Sequence, residues 1–525
     1  MINFTDIRKR VKPTSKIYFS SLLQINYPKI KADQYNQTEE LLRRTFAGNA
    51  DIVQRSFFVG GREEMEALLI FQSGSVNKSL LYNDVMKPLM SMKRIVNKGE
   101  YNKEYLTKYI TKTCIYAAEI EIESDIDLAA NQVYDGKVLL VIKGLANYFI
   151  LNLSDVPKRP VQESDLEKRT RGTRAGFVEN LEDNIALMRG EIRDPNLMVE
   201  AMKLGRRSRT DVALIYIKDL VDNQILQELK RRLKNIETDS ILATGYIESF
   251  IEDNPWSPFP FAHGTERPDK AAANILEGRI LIIANGTPFT LIVPALFIQF
   301  FQATEDYYEK PHVGLYARLL RFVAFIIAIT APAIYIALTS FHPELIPSDL
   351  LVTLARMRKE VPFPPVVEAL VMEFVIEALR EAGIRLPKSV AQTLGVVGGI
   401  VLGEAAIRAN LVSPAMVLVT TVTAICTFSI PNYSMSLVVR LLRIFIIFLA
   451  ALFGGYGIAL GLLIILIHLA KQKSIGIPYL APVAPLRLKD MKDFIYRAPL
   501  WSMKDRPVSI PSKEKTRVNI KKKGS

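Results

Sequence analysis

Histidine and cysteine are scarce in this chain, and their scarcity excludes whole classes of chemistry. Of 525 residues, four are histidine and two are cysteine. His263 is the one histidine before residue 312, so neither a zinc cluster nor a catalytic triad can be assembled around histidine in the N-terminal half. Cys114 sits in the polar half and Cys426 in an apolar run. They offer no disulfide framework and fit a reducing compartment. A phosphate-cradling loop is missing too: Gly60-Gly61 is followed by Arg62 and Glu63, with no lysine at P-loop spacing. The residues up to Ile30 are basic and contain no apolar core, which argues against a signal peptide and for a cytoplasmic N-terminal domain. No catalytic residue, metal-ligand set or cofactor-binding pattern is read, and an enzyme is not expected.

Long apolar runs are absent from the N-terminal half and crowded into residues 319–470. The run from Leu319 to Phe341 has one charge, Arg321, and the run from Leu441 to Ala470 has one, Arg443. About 20 such residues can cross ~30 Å of hydrocarbon. Span candidates are 319–341, 389–410, 414–432 and 441–470. A fifth segment, Pro364 to Ile384, is apolar but carries Glu368, Glu373, Glu377 and Glu381. The last three recur every four residues and share one helix face. Such a helix can lie amphipathically on the membrane surface. It can also line a wet path, where carboxylates attract cations. Gly395, Gly399 and Gly403 recur every four residues, a smooth stripe for close helix packing. Glu404 follows, with Arg408 one turn later; the pair is either an ion pair near the surface or an intramembrane functional carboxylate. Glu373, Glu377, Glu381 and Glu404 form the candidate ion path.

The net charge of +13 is concentrated at the ends. Arg8, Lys9, Arg10, Lys12 and Lys16 open the chain, and Lys513, Lys515, Arg517, Lys521, Lys522 and Lys523 close it. Without interleaved aromatics these tails do not suggest nucleic acid; they suggest cytoplasmic flanks near anionic membrane lipid. Two cytoplasmic ends require an even number of crossings. Four suffice if 364–384 stays at the surface. Six result if it spans and if 441–470 folds back at Gly454-Gly455-Tyr456-Gly457. Four is the preferred count, although Arg440 and Arg443 suit six better.

The polar half reads as a duplication. Ala67-Leu-Leu-Ile-Phe followed by Asn77 and Leu80 matches Ala213-Leu-Ile-Tyr-Ile followed by Asn223 and Leu226. Asp135-Gly-Lys-Val-Leu-Leu-Val-Ile-Lys-Gly144 matches Glu277-Gly-Arg-Ile-Leu-Ile-Ile-Ala-Asn-Gly286 at nearly the same offset. Each copy predicts a buried strand, a helix and a closing hairpin whose Lys143-Gly144 or Asn285-Gly286 turn needs positive φ. Val178 to Arg189 has helical spacing, and Asn223 is placed to cap a helix over Gln224–Leu233. Pro157 to Arg174 reads as the linker. Gly205–Thr210, rich in arginine, is a solvated turn or, less simply, an anion site. Asn254-Pro-Trp-Ser-Pro-Phe-Pro260 is a rigid aromatic loop that either docks a partner or packs over the second copy.

The expected architecture is an α/β soluble N-terminal domain of two similar subdomains, followed by an all-α polytopic membrane domain. Its parts are a basic tail (1–35), subdomain 1 (36–156), linker (157–175), subdomain 2 (176–290), membrane domain (291–485) and basic tail (486–525).

These residues together resemble the A subunit of the GerA-type spore germinant receptors, from about Asn49 to Pro485. The matching blocks are Asn49-Ala-Asp51 with Arg55 and Phe57, Gly176-Phe-Val-Glu179 with Asn184, Asp194-Pro-Asn-Leu197, Glu252-Asp-Asn-Pro255 through Pro260, and Thr265-Glu-Arg-Pro-Asp269. They continue in Phe341-His-Pro-Glu344, Pro362-Phe-Pro364, Glu368 through Pro387, Val397-Gly-Gly399, Val412-Ser-Pro414, Arg440-Leu-Leu-Arg443 and Pro478-Tyr-Leu-Ala-Pro482. Asn285 departs slightly where the family often has Asp. The resemblance implies a multi-pass protein of the spore inner membrane. It also implies a homo-oligomer, working with a transporter-like B subunit and a C-subunit lipoprotein, that passes monovalent cations when nutrient triggers it. A non-conducting scaffold of the receptor cluster and a stage V sporulation AF-type protein are the alternatives.

Overall fold

The computed structural model describes residues 35–61, 65–92, 103–155, 175–387, 390, 399, 401–494 and 496–517. The sequence-predicted linker Pro157–Arg174, the basic residues Arg8–Lys16 and Lys521–Lys523, and Gly395 lie outside them. The chain divides into two compact units.

The first unit is a five-stranded sheet: β1 (Ile52–Phe58), β2 (Glu66–Gln72), β3 (Ile120–Glu123), β4 (Val138–Ile142) and β5 (Tyr148–Leu151). The spatial order is β1-β2-β4-β5-β3, and every neighbouring pair is antiparallel. Helices α1 (Tyr35–Thr45) and α2 (Ile126–Tyr134) pack Leu42, Ala129 and Val133 on one face. Leu81, Val85 and Leu89 cover the other. Strands covered on both sides need no polar face, which is why β2 and β4 read as unbroken apolar runs.

The second unit repeats the plan. Its strands are β6 (Leu197–Leu204), β7 (Thr210–Ile217), β8 (His263–Thr265), β9 (Ile280–Ala284) and β10 (Thr290–Val293). Their order, β6-β7-β9-β10-β8, is the order of the first sheet. Helices α3 (Leu181–Glu191) and α6 (Pro268–Ile275) cover one face; α4 (Asn223–Lys234) and α5 (Thr244–Ile251) cover the other. The turn glycines Gly144 and Gly286 have φ of 90° and 92°, a region a Cβ disfavours.

The pairing corrects one detail of the duplication. Ala67 lies opposite Ile142, whereas the residue opposite Ala284, the counterpart of Ile142, is Val212 and not Ala213. Burial agrees: Ala67 and Val212 face the sides covered by Leu81–Leu89 and by α4, and Ala213 faces the opposite side. The same one-residue slip moves a helix cap. Asp222, not Asn223, caps α4, accepting from the Gln224 amide at 2.7 Å, as Asn77 accepts from Ser79 and Leu80 at 3.0 Å. A run apolar on both faces has no alternation to pin its register.

The helical region of the second unit comprises α7 (Pro311–Ser340), α8 (Ser348–Arg358), α9 (Pro365–Arg385), α10 (Pro414–Phe428) and α11 (Tyr433–Lys471), with residues 401–408 also helical. Among the described residues, α7 and α11 are the two helices long and apolar enough to cross a membrane; α10 is apolar but shorter. Most of the span candidate 389–410 lies outside the described residues. The run predicted over 441–470 is not one rod. Gly454 is non-helical, with φ 58° and ψ −135°. Residues 449 and 457 of a straight helix would be about 12 Å apart along its axis. Instead, a Cβ built on Gly457 would stand 2.0 Å from the Leu449 carbonyl oxygen, and one on Gly461 would stand 2.4 Å from Ile446 Cδ1. So α11 is an antiparallel hairpin with arms 433–453 and 455–471. Its tip meets the end of α7, where His342 Nε2 accepts from the Gly455 amide at 3.4 Å.

The basic C-terminal segment docks on the second unit. Ser512 bridges Val221, and Lys513 donates through its amide to Leu220 O (3.0 Å) and through Nζ to Lys218 O (2.9 Å).

Candidate functional site

Helix α9 carries three carboxylates towards its neighbours, and each has a basic partner. Glu368 is fully buried; it accepts from the Ser413 amide at 2.8 Å, and Arg358 Nε stands 3.3 Å away. Ser413 also caps α10, accepting from the Met416 amide, and its hydroxyl lies 3.3 Å from Tyr335 OH of α7. Glu373 pairs with Arg443 of the first arm of α11 at 3.2 Å; the Arg443 side chain is buried and that of Glu373 nearly so. Glu377 meets Arg440 at 2.9 Å and also Arg380 of its own helix. Arg380 in turn donates to Tyr433 OH at 3.2 Å. The fit at depth is imperfect: Glu368 Oε1, Arg358 Nε, Glu373 Oε1 and Arg443 Nε are buried without a hydrogen bond.

The other sequence-predicted site residues lie apart from this ladder. Glu381 pairs with Arg385 at 2.7 Å and Glu404 with Arg408 at 2.5 Å, all four side chains exposed. A Cβ built on Gly399 or Gly403 meets nothing within 4 Å. Among the described residues no group of three His, Cys, Asp or Glu side chains is placed to hold a metal ion.

Sequence reasoning missed a second charged cluster, at the foot of α7. Arg318, fully buried, reaches Asp306 through Nε (3.1 Å) and Asp493 through Nη1 (2.8 Å). Arg321 closes on both oxygens of Asp306 at 2.8 and 2.9 Å. Tyr307 donates to Asp493 at 2.7 Å, and burial, reinforced by that carboxylate, holds its phenol protonated well above the ordinary range. The only sequence signal was two arginines one helical turn apart where the apolar run begins.

A profile of the Bacillus/Clostridium GerA spore germination protein family matches residues 40–509. The chain belongs to that family. It is 39% identical over 475 residues to spore germination protein KA of Bacillus subtilis (strain 168), covering 90% of this chain and 86% of that one. It is 39% identical over 448 residues to spore germination protein GerLA of Bacillus cereus, covering 85% and 90%. Stage V sporulation protein AF of Bacillus subtilis (strain 168) is 32% identical over 409 residues, covering 78% and 82%. Among solved structures it is similar to the N-terminal domain of the A subunit of the Bacillus megaterium spore germinant receptor GerK3. That likeness has 31% identity and a TM-score of 0.39, and covers 51% of this chain and 97% of that one.

In this GerA-family protein, two of the blocks that carry the resemblance pack on each other. Phe259 of the aromatic loop and Phe261 just after it lie 6.4 and 5.2 Å from the ring of Tyr479, and Tyr479 O accepts from the Phe297 amide at 2.9 Å. Glu248 and Glu252, one turn apart at the end of α5, flank this joint. Burial pushes both carboxyls up to about 7, the charge of Glu252 adding to the rise at Glu248, against backbone hydrogen bonds from Ala262 to Glu248 and from Phe261 to Glu252.

A pH dependence of stability follows. A carboxyl held high in the folded state binds its proton more tightly there than in the unfolded chain. Its contribution is therefore complete below the ordinary value of 4.5 and is lost as pH rises through about 7. His263 acts in the opposite sense: burial, then Lys270 and Arg279, hold its pKa well below 6.5. Comparison with E248Q/E252Q isolates the carboxylates. In detergent-solubilised protein the variant should melt above the wild type at pH 8 and no higher than it at pH 5. Parallel melting curves at both pH values would show that the pair does not titrate with folding.

Proposed function

We propose that this GerA-family chain is a membrane subunit of a nutrient germinant receptor in bacterial spores. It acts in germination signalling, and as a homo-oligomer it forms or gates a path for monovalent cations. It resides in the spore inner membrane with its α/β domain in the cytoplasm, alongside a transporter-like B subunit and a C-subunit lipoprotein.

The observation that carries this reading is the ladder of Glu368, Glu373 and Glu377 against Arg358, Arg443 and Arg440, set among apolar helices. Charge at hydrocarbon depth is costly and concentrates at ion pathways. The packing supports a six-crossing arrangement. The middle of α7 and the last turn of α11 share one level, at the second sheet, through Phe297–Phe325 and Ser257–His468. The end of α7 and the hairpin tip share the other. Between them α9 has 21 residues, about 31 Å of helix, which matches the hydrocarbon thickness of ~30 Å. Its start lies by Ser413 and its later turns by Tyr433, so it runs against the first arm of α11. In the single chain the arginines neutralise the ladder and the path is closed. Separating α9 from the first arm of α11 frees Glu373 and Glu377 to meet cations, with Glu381 and Glu404 along the exposed approach.

The same pairing favours a second reading, a non-conducting scaffold in which the ion pairs only hold helices together. Reconstituted oligomers distinguish the two. Wild-type vesicles should pass K⁺, and E373Q/E377Q/E381Q vesicles should pass markedly less at equal protein content. Unchanged flux would remove these carboxylates from the mechanism. Absence of flux through well-folded wild-type protein would leave the scaffold.

A further inference from the structure

The loop between α5 and β8 holds out a large aromatic side chain. Trp256 is 95% exposed. Its position is nevertheless tightly determined. Pro255 and Pro258 stiffen the loop, and Asn254 Oδ1 accepts from the Trp256 amide at 3.2 Å. The residues on either side are tied to the last turn of α11. Asn254 Nδ2 donates to Gln472 Oε1 at 3.2 Å, and Ser257 Oγ lies 2.9 Å from His468 Nε2. Two residues on, Phe259 is buried and stacks on the His468 ring at 6.0 Å.

These ties place the indole within about one helical turn of the point where the apolar second arm of α11 ends. Exposed Lys471 and Lys473 mark the same level. The preceding helix exposes Tyr246 and Phe250, four residues apart on one face. An indole has an apolar body and one N–H donor, a combination that is favoured at the boundary between acyl chains and headgroups.

We propose that Trp256 is an interfacial anchor: its indole enters the headgroup layer of the bilayer and sets the height of the second sheet above the lipid surface. The occupant of this loop is therefore phospholipid, not another protein. The proposal rests on the reading that the second arm of α11 crosses the bilayer, because that arm supplies the level to which the loop is tied.

Fluorescence of the full-length protein tests both. The chain has two tryptophans. Trp501 is exposed in the C-terminal segment, so W501F leaves Trp256 as the single emitter. The protein is reconstituted into phosphatidylcholine–phosphatidylglycerol vesicles carrying bromine either near the headgroup or deep in the acyl chain. The Trp256 emission should be shifted to the blue, quenched more by the shallow label than by the deep one, and protected from aqueous iodide. An unshifted emission open to iodide, or a blue-shifted emission untouched by either bromolipid, overturns the anchor; the latter means that protein covers the ring. A control separates failure of the anchor from failure of the span. Leu463 faces outward on the second arm, and L463W in a W256F/W501F background should be quenched by the deep label. Deep quenching at 463 without lipid quenching at 256 sinks the anchor alone, whereas quenching at neither position sinks the spanning reading itself.

Discussion

Gly457→Ala should strip the full-length protein of most of its thermal stability, while Gly461→Ala should be far milder and Gly383→Ala harmless. The three glycines differ in what a methyl group would meet. At Gly457 it would stand 2.0 Å from the Leu449 carbonyl oxygen and 2.5 Å from its carbon. That is backbone of the facing arm and cannot rotate aside, so the arms must separate. Overpacking typically costs about 1–3 kcal/mol and more where nothing can relax; a clash with backbone belongs at the upper end. At Gly461 the nearest atoms are Ile446 Cδ1 at 2.4 Å and Leu449 Cδ1 at 2.9 Å. These are the ends of flexible side chains, and a rotamer change makes room at a cost of about 1 kcal/mol. At Gly383 nothing lies within 4 Å, and alanine in a helix is favoured over glycine by roughly 0.5–1 kcal/mol. Melting temperatures of detergent-solubilised variants, with size-exclusion profiles, give the ranking. A Gly457→Ala protein as stable as the wild type would mean that the two arms do not touch.

Arg318→Met should be the most damaging single change outside the hairpin. The Arg318 side chain is fully buried between Asp306 and Asp493. Removing one partner of a buried ion pair costs about 3–5 kcal/mol, because the orphaned charge stays behind. Asp306 keeps Arg321, but Asp493 is left with the Tyr307 hydroxyl. Arg318→Lys should recover little. One ammonium cannot place separate donors on two carboxylates and on the carbonyls of Asp493 and Phe494, as the planar fork does. Arg321→Ala should cost less, since its side chain is 12% exposed and Asp306 retains Arg318. Apparent melting temperatures should fall in the order Arg318→Met, Arg318→Lys, Arg321→Ala. Recovery to wild-type stability with lysine would show that charge alone, and not the fork, holds the foot of α7.

Much of this molecule is legible in its amino-acid sequence alone. The long apolar runs identified α7 and α11 because apolar length is a local property of the chain. Gly144 and Gly286 announced turns because only glycine tolerates their φ cheaply. The duplicated sheet was visible as two pairs of matching strands, and the GerA-type resemblance came from blocks spread along most of the chain.

What remained out of reach depends on residues distant in sequence. The one-residue register of β7 was unreadable because strands covered on both faces carry no alternation. The fold-back of α11 was a possibility written in Gly454-Gly455, but the contact of Gly457 with Leu449 was decided by how the two arms pack. The stripe of Glu373 and Glu377 was visible from its spacing, and so were Arg440 and Arg443. That each glutamate is answered by one of those arginines was not, since no local rule says which apolar helix lies beside which. Composition and periodicity determine what each segment can bury; only the assembled helices determine which charges that burial brings together.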